Sequence, residues 1–251
     1  MTSRAIDGLV QRYDEDRLCT LVLNRPAVLN ALNRQMFVEL RAHIDTLAAD
    51  PDCASCVLLL GAGRSFCSGA DLGMLEQLSP EMPLEPFEPE TIEAFAALPQ
   101  PTIAAVHGHC FTGGLELALA ADITVAADDA KFADTHARWG LVPAWGMNVR
   151  LPLRVGVMRA KELMFSGREV DAREALAIGL VSHVFRRETF DSSARALARS
   201  ISRNAPGALR LTKQSIDRAL GRPPSVALAE ERALHPGLGD EFLARLHQGM
   251  P

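Results

Sequence analysis

Residues 105–120 read Ala-Val-His-Gly-His-Cys-Phe-Thr-Gly-Gly-Leu-Glu-Leu-Ala-Leu-Ala. The apolar beginning of this stretch predicts a buried strand, and its end predicts a helix that starts at the paired glycines. The first amides of a helix have no acceptor inside it, and the helix dipole favours negative charge beside them. Because glycine at 113 lets a ligand approach the backbone closely, this turn is a candidate binding site for a negatively charged oxygen.

A second turn of the same kind occupies residues 65–72, Ser-Phe-Cys-Ser-Gly-Ala-Asp-Leu, where small residues again lead from a strand into a helix. Two backbone N–H groups that converge on one oxygen form an oxyanion hole. Glu116 falls in the first turn of the second helix, among apolar residues. Its carboxylate is either a stabiliser of the helix dipole or an acid/base group beside that oxygen.

The surrounding pattern alternates strands and helices. Three short, wholly apolar segments have the pattern of strands buried on both faces. Strands are predicted at residues 6–12, 18–23, 56–60, 102–106, 123–126 and 180–185. Helices are predicted at residues 34–49 (capped by Asn33), 72–78, 91–97 and 114–121, and after the capping residue Asp171. Repeated strand–helix units predict an α/β fold.

Strand signals end near residue 188, and the rest of the chain has helical periodicity. These helices are predicted at residues 190–202, 206–220, 226–234 and 240–247. We therefore expect an α/β core over residues 1–187, which carries the site, and a helical region over residues 188–251. Short helices bury little surface alone, so this region should pack on the core or on a neighbouring subunit.

Residues 79–90 contain four prolines and four glutamates, with Met82, Leu84 and Phe87 between them. Proline at this density is incompatible with a regular helix or a central strand. The segment is either a solvated linker or a flap over a pocket.

Composition narrows the functional classes. The 251 residues are 48% apolar and 23% charged, as in an ordinary globular protein with one large domain. A net charge of -5 argues against nucleic acid as the main partner. The sequence contains neither the long apolar run of a membrane helix nor an apolar leader at its start, so no membrane association is expected.

The cysteines and paired histidines give weak signals for a metal. Cys53 and Cys56 have the C-x-x-C spacing, but no second pair follows at the spacing of a zinc site. Two half-buried thiols entering a strand are favoured over a redox pair. His107 and His109 are expected to be ordinary hydrogen-bonded side chains. The five cysteines, an odd number, fit a cytoplasmic protein best.

Several motifs, in this order and spacing, make the chain resemble the crotonase superfamily, also called the enoyl-CoA hydratase/isomerase family, over nearly its whole length. They are Leu23-Asn-Arg-Pro26, Asn30-Ala-Leu32, residues 65–72 and 104–122, Lys131-Phe132, Gly140-Leu-Val-Pro143, residues 172–184, and Ala205-Pro206 with Lys213. The resemblance implies a spiral of ββα units followed by a helical trimerisation region. It also implies a homotrimer or a dimer of trimers.

The same resemblance implies an acyl-coenzyme A thioester as ligand. The backbone N–H groups of Ala70 and Gly113 would hold the thioester oxygen as it becomes an enolate. The adenine and pantetheine path would be lined by Ser68, Ala70, Asp71 and Leu72. Basic residues that the family often places near the phosphates are replaced here by Ala27 and Gly73, and Arg25 or Arg245 are the candidates to substitute for them.

Hydratases of this family use two glutamates. The first matches Glu116, but His136 stands at the second position. His136 is either an acid/base partner of Glu116 or a pocket-wall residue hydrogen-bonded to Asp134. An imidazole titrates near pH ~6.5 and can transfer protons at neutral pH.

The preferred interpretation is an enoyl-CoA hydratase, which needs no metal or redox cofactor because hydration is redox-neutral. The first alternative is a double-bond isomerase that uses the single glutamate. Thioester hydrolysis and decarboxylation, and a non-catalytic acyl-CoA-binding protein, also stay open.

Overall fold

The computed structural model describes residues 4–75, 86–234, 237 and 240–247. Its strands are β1 (Arg4–Ile6), β2 (Val10–Glu15), β3 (Leu18–Leu23), β4 (Cys56–Gly61), β5 (Thr102–Val106), β6 (His109–Phe111), β7 (Ile123–Ala127), β8 (Lys131–Ala133), β9 (Val170–Asp171) and β10 (His183–Phe185).

The helices alternate with these strands and then continue alone to the end of the described chain. They are α1 (Arg34–Ala49), α2 (Leu72–Leu75), α3 (Phe87–Ala96), α4 (Gly113–Leu119), α5 (Met147–Val155), α6 (Val157–Ser166), α7 (Ala172–Ala177), α8 (Phe190–Ser202), α9 (Pro206–Ala219), α10 (Pro224–Leu234) and α11 (Asp240–His247). Single-turn 3-10 helices lie at Pro26–Val28, His136–Trp139 and Arg187–Thr189. None of the helices within these ranges is long and apolar enough to cross a membrane. The predicted α/β class is confirmed.

The main sheet has the strand order β1-β2-β3-β4-β5-β7-β10. The pairs β1–β2 and β2–β3 are antiparallel, whereas β3, β4, β5, β7 and β10 run parallel. A smaller sheet contains β6, β8 and β9. Because β4 and β5 are parallel neighbours, their carboxyl ends share one edge, and the loops that follow them meet there. Isolated bridges join Cys67 to Cys110 and Leu32 to Ala70 in this region.

β4, one of the three strands predicted to be buried on both faces, is buried on both. In β4, Val57 and Leu59 face the larger apolar cluster, and Leu58 and Leu60 face a smaller one. Phe190 of α8 belongs to the smaller cluster. The first helix of the carboxyl-terminal region therefore covers the second face of the sheet.

Two predicted helix starts have the expected caps. The Asn33 side chain accepts a hydrogen bond from the Met36 amide at 3.0 Å, at the first turn of α1. Asp171 Oδ1 accepts from the Glu174 amide at 2.7 Å, at the first turn of α7. Each cap satisfies an amide that the helix leaves without an acceptor.

The carboxyl-terminal helices leave apolar surface uncovered. Lys213 Nζ of α9 binds Asp122 Oδ2 at 2.8 Å and so attaches this helix to the core. Several large apolar side chains further along are nonetheless more than half exposed, namely Ile216, Leu220, Leu228 and Leu246. The division of the chain near residue 187 stays a prediction.

The amino-terminal hairpin differs from its prediction. The expected strand over residues 6–12 is two strands, β1 and β2, separated at residues 7–9. β2 continues past the expected end at residue 12 to Glu15, and the turn follows at Asp16 and Arg17, which take the left-handed backbone conformation. Short polar residues such as aspartate tolerate that conformation.

Two further expectations were wrong in part. Phe87–Ala96 is helical, although residues 87–90 belong to the proline-rich segment; Pro89 fits because it lies in the first turn, where its missing N–H costs nothing. Residues 79–85 of that segment, and residues 76–78 of the helix predicted at residues 72–78, lie outside the described residues. The strand predicted at residues 180–185 begins only at His183, because the amide of Leu180 donates to the Ala175 carbonyl and closes α7.

Candidate active site

Glu116 is held inside the protein by the loop that precedes α5. Every residue of α4 is buried, and the Glu116 residue is 1% exposed. Its Oε1 accepts hydrogen bonds from the backbone amides of Trp145 at 2.8 Å and Met147 at 3.1 Å. The expected position of Glu116, in the first turn of a helix among apolar residues, is confirmed. With Oε1 fixed by two donors, Oε2 is left to act on other groups.

His136 faces Glu116 from the 3-10 helix His136–Trp139. Its Nε2 lies 3.8 Å from Glu116 Oε2. Its Nδ1 donates to Asp134 Oδ1 at 2.5 Å, and Asp134 is itself 2% exposed. The imidazole is thus both paired with Asp134 and placed beside Glu116, and the choice between an acid/base partner and a pocket-wall residue stays a prediction. The structure places the His136 imidazole between the carboxylates of Asp134 and Glu116.

The electrostatics of these three groups favour proton transfer by Glu116 and His136. Burial raises the pKa of Glu116, although the Met147 and Trp145 amides and the charge of His136 act in the opposite direction. Burial alone would lower the pKa of His136, but the hydrogen bond and charge of Asp134, with the charge of Glu116, raise it above 6.5. Groups this close titrate as a pair rather than singly. A raised carboxyl pKa brings Glu116 nearer to neutral pH, where a general base is most effective, and a raised imidazole pKa keeps more of His136 in the protonated form that acts as an acid.

The amide of Ala70 lies next to Gly113, the first residue of the helix that carries Glu116. A Cβ added to Gly113 would lie 3.4 Å from the Ala70 nitrogen. The hydrogen bonds of the described residues engage neither amide. Two N–H groups that have no acceptor, each near the start of its own helix, can converge on one ligand oxygen. Their predicted role as an oxyanion hole stays a prediction that this geometry fits.

The Asn30 side chain stabilises the turn at residues 65–72. It is fully buried and takes the left-handed conformation, with φ of 56°. Its Nδ2 donates to the carbonyls of Ala62 at 2.9 Å and Ser65 at 2.8 Å, and its Oδ1 accepts from the Arg25 amide at 2.8 Å. One side chain therefore fixes the loop that leads from β4 towards Ala70.

Thr112 fixes the second turn in a strained conformation. Its φ of 46° and ψ of -116° are unusual for a β-branched residue. The Thr112 amide donates to the Ala133 carbonyl at 2.9 Å, and its hydroxyl lies 3.5 Å from the Ser68 carbonyl. The ψ angle of Thr112 orients the peptide that carries the Gly113 amide. Such strain persists where surrounding contacts enforce it, and it often occurs at functional sites.

Of the residues expected to bind coenzyme A, those that follow β3 and β4 lie at the carboxyl edge of the main sheet. Arg25 Nη1 donates to Asp71 Oδ2 at 2.8 Å, so this guanidinium is already engaged in an ion pair. The Ser68 hydroxyl contacts a backbone carbonyl at 3.4 Å, and Leu72 is 58% exposed. Arg245 on α11 donates to a backbone carbonyl of the preceding helical region. Their roles in coenzyme A binding stay predictions.

The weaker metal and redox candidates have ordinary contacts. His107 Nε2 donates to the Gly63 carbonyl at 3.0 Å, and His109 Nδ1 lies 3.1 Å from the Ser65 hydroxyl. All five cysteines are free thiols. Of the pair expected to be half-buried, Cys53 is so, whereas Cys56 is fully buried and its burial raises the pKa of that thiol to about 12.

The loop that holds Glu116 was not found from the sequence. Its contacts with Glu116 are made by the backbone amides of Trp145 and Met147, which side-chain chemistry does not predict. The signal that could have found them is Gly146, because this glycine, with φ of 113°, follows Pro143 and precedes α5. Arg150 Nη1 donates to the Trp145 carbonyl at 2.9 Å and fixes the same loop from its other side.

Comparison with known proteins identifies the family. The sequence model described as enoyl-CoA hydratase/isomerase matches residues 14–245. The chain is 36% identical over 226 residues to a Mycobacterium tuberculosis protein named probable enoyl-CoA hydratase echA8, covering 90% of this chain and 87% of that protein. It is 32% identical over 253 residues to an Arabidopsis thaliana protein named probable enoyl-CoA hydratase 1, peroxisomal, covering 99% of this chain and 95% of that one.

Solved structures agree with the sequence matches. An enoyl-CoA hydratase from Bacillus anthracis superposes with a TM-score of 0.89 at 29% identity, covering 100% of this chain and 97% of the other. DspI from Pseudomonas aeruginosa superposes with a TM-score of 0.90 at 30% identity, covering 97% and 95%. These matches confirm the crotonase fold that the sequence motifs predicted. On fold and sequence together, the chain belongs to the enoyl-CoA hydratase/isomerase family of the crotonase superfamily.

Proposed function

We propose that this protein is an enoyl-CoA hydratase, which adds water across the 2,3 double bond of an enoyl-CoA thioester. The observation that carries the proposal is the contact of His136 with both Asp134 and Glu116. Glu116 lies on the helix that starts at Gly113, next to the Ala70 amide. Hydration needs a base for water, a stabiliser for the enolate and an acid for carbon 2. The site offers a group for each role. The names of the relatives point to the same reaction.

In the first step, Glu116 takes a proton from water while the water oxygen forms a bond to carbon 3. The electrons of the double bond move to the thioester oxygen, which becomes an enolate oxygen. The Ala70 and Gly113 amides donate to that oxygen. Removal of one such donor costs about 10²–10³ in rate in other enzymes, so this contribution is large.

In the second step, the enolate collapses and carbon 2 takes a proton from the imidazolium of His136. The product is a 3-hydroxyacyl-CoA. Glu116 is then protonated and His136 is neutral, and a proton passes from Glu116 to His136 across the 3.8 Å gap, directly or through a water. The net change is the addition of one water, so the reaction requires no metal or redox cofactor.

The assembly and location belong to the same proposal. We propose a homotrimer or a dimer of trimers, supported by the exposed apolar side chains of α9 to α11. Light scattering that gives a monomer at micromolar concentration would refute it. A cytoplasmic location is supported by the five free thiols.

Incubation with crotonyl-CoA tests the reaction. Loss of the conjugated enoyl absorbance, with 3-hydroxybutyryl-CoA that carries oxygen from labelled water, is the expected result. Production of a conjugated 2-enoyl-CoA from a 3-enoyl-CoA, without hydration, would instead establish the isomerase. Tight acyl-CoA binding without turnover would establish a non-catalytic binder.

A further inference from the structure

The indole of Trp145 lies against the turn that carries the candidate oxyanion hole. A Cβ added to Gly113 would lie 2.3 Å from Trp145 Cζ3 and 2.8 Å from Cε3. The same point is 3.4 Å from the Ala70 nitrogen. The six-membered ring of the indole is therefore in contact with Gly113, immediately beside the two amides.

The ring is fixed in this place. Its centroid lies 5.1 Å from that of Phe37, edge to face at 75°, and Phe37 is fully buried on α1. The Trp145 amide donates to Glu116, and its carbonyl accepts from Arg150. The backbone is thus held on both sides, and a rotation of the indole would lose its contact with Phe37.

This position limits the space for an acyl group. If the thioester oxygen is bound by Ala70 and Gly113, carbons 2 and 3 lie at Glu116 and His136. The carbons beyond them then lie towards the loop that carries Trp145, because the Trp145 and Met147 amides bind Glu116. A rigid indole in contact with Gly113 occupies volume that a long chain would need.

We propose that Trp145 is a specificity-determining residue that restricts the enzyme to short 2-enoyl groups such as crotonyl. The inference rests on the proposed function, since it places the acyl group in that site. One methylene in an apolar pocket changes kcat/KM by about 10- to 200-fold, so a wall of this size should have a large effect.

The test compares two substrates, crotonyl-CoA and trans-2-decenoyl-CoA, in the wild type, Trp145→Ala and Trp145→Phe. The ratio of their kcat/KM values is the readout, because a general loss of active protein cancels from it. Both substitutions keep the amide that holds Glu116. The matched control is Phe165→Ala on α6, an aromatic residue that is 76% exposed.

The wild type should favour crotonyl-CoA by at least about tenfold. Trp145→Ala should raise the decenoyl-to-crotonyl ratio by at least about tenfold, Trp145→Phe should fall between, and the control should match the wild type. A ratio in Trp145→Ala within about threefold of the wild type, or a wild type that prefers decenoyl-CoA, overturns the inference.

A second readout separates this inference from the proposed reaction. If the wild type hydrates neither substrate, the proposed function fails, and calorimetry with butyryl-CoA and decanoyl-CoA then decides the role of Trp145. Tighter binding of butyryl-CoA, reversed in Trp145→Ala, supports the steric role. Equal effects of the substitution on both ligands overturn it.

Discussion

His136 Nε2 lies 3.8 Å from Glu116 Oε2, although the two residues are separated by twenty positions in the sequence and belong to different helices. Each side chain is fixed on its far side, Glu116 by two backbone amides and His136 by Asp134. The atoms that face each other are therefore held in place before a substrate arrives. Such preorganisation makes the pair suited to proton transfer.

Glu116→Gln should lower kcat on crotonyl-CoA by about 10²–10⁴, because the amide cannot accept a proton from water. Binding of butyryl-CoA should change little, since glutamine retains an oxygen that can accept from the Trp145 and Met147 amides. Stopped-flow absorbance and calorimetry measure the two quantities. Glu231→Gln, on the exposed surface of α10, is the control. Activity of Glu116→Gln within about tenfold of the wild type would assign Glu116 a structural role.

Gly113→Ala should destabilise the protein by about 1–3 kcal/mol, because the new methyl would meet the Trp145 ring at 2.3 Å. Turnover should also fall, since either the ring or the Gly113 amide must move. Urea denaturation of Gly113→Ala, Trp145→Ala and the double variant measures the coupling between them. The methyl should cost less when the indole is absent. An identical cost in both backgrounds would show that the two groups do not touch.

Asn30→Ala should lower the free energy of unfolding by at least about 2 kcal/mol. It leaves the Ala62 and Ser65 carbonyls without their donor, and each buried orphan costs about 1–3 kcal/mol. Asn148→Ala is a matched control, because Asn148 donates to a carbonyl in an exposed position. Equal denaturation midpoints for the two variants would contradict the role assigned to Asn30.

Asp134→Asn should move the alkaline limb of the pH profile of kcat/KM towards lower pH. In the proposed mechanism the imidazolium of His136 donates the proton, so activity falls as pH rises through its pKa. Asp134 raises that pKa by its hydrogen bond and charge, and loss of the charge therefore lowers it. Asp45→Asn, at an exposed ion pair on α1, should leave the limb in place. An alkaline limb that does not move in Asp134→Asn would mean that it reports another group.

The sequence predicted those features that depend on local pattern. The cap at Asn33, the doubly buried strand β4 and the position of Glu116 all follow from residues near each other in the chain. The family resemblance placed Ala70, Gly113 and His136 as candidates, and the structure brings Ala70 next to Gly113 and His136 next to Glu116.

Features that depend on tertiary contacts were missed. The support of Glu116 by backbone amides leaves no trace in side-chain chemistry, and the contact of Trp145 with Gly113 joins positions 32 residues apart (145 minus 113). The early start of α3 was missed because Pro89 was interpreted as a helix breaker, whereas a first turn tolerates proline. Leu180 is not part of the expected strand, because its amide donates to the Ala175 carbonyl and ends α7.

The central claim is that Glu116 and His136 act together, and the pH dependence of kcat/KM on crotonyl-CoA in His136 variants tests it most directly. The wild type should show an alkaline limb above pH 6.5, since the pKa of His136 is raised. His136→Ala should remove this limb and slow hydration by at least about 10²-fold, and His136→Glu should recover part of the rate with its limb at lower pH. A His136→Ala enzyme that keeps the limb and stays within about tenfold of the wild-type rate would contradict the account and leave His136 as a wall of the pocket.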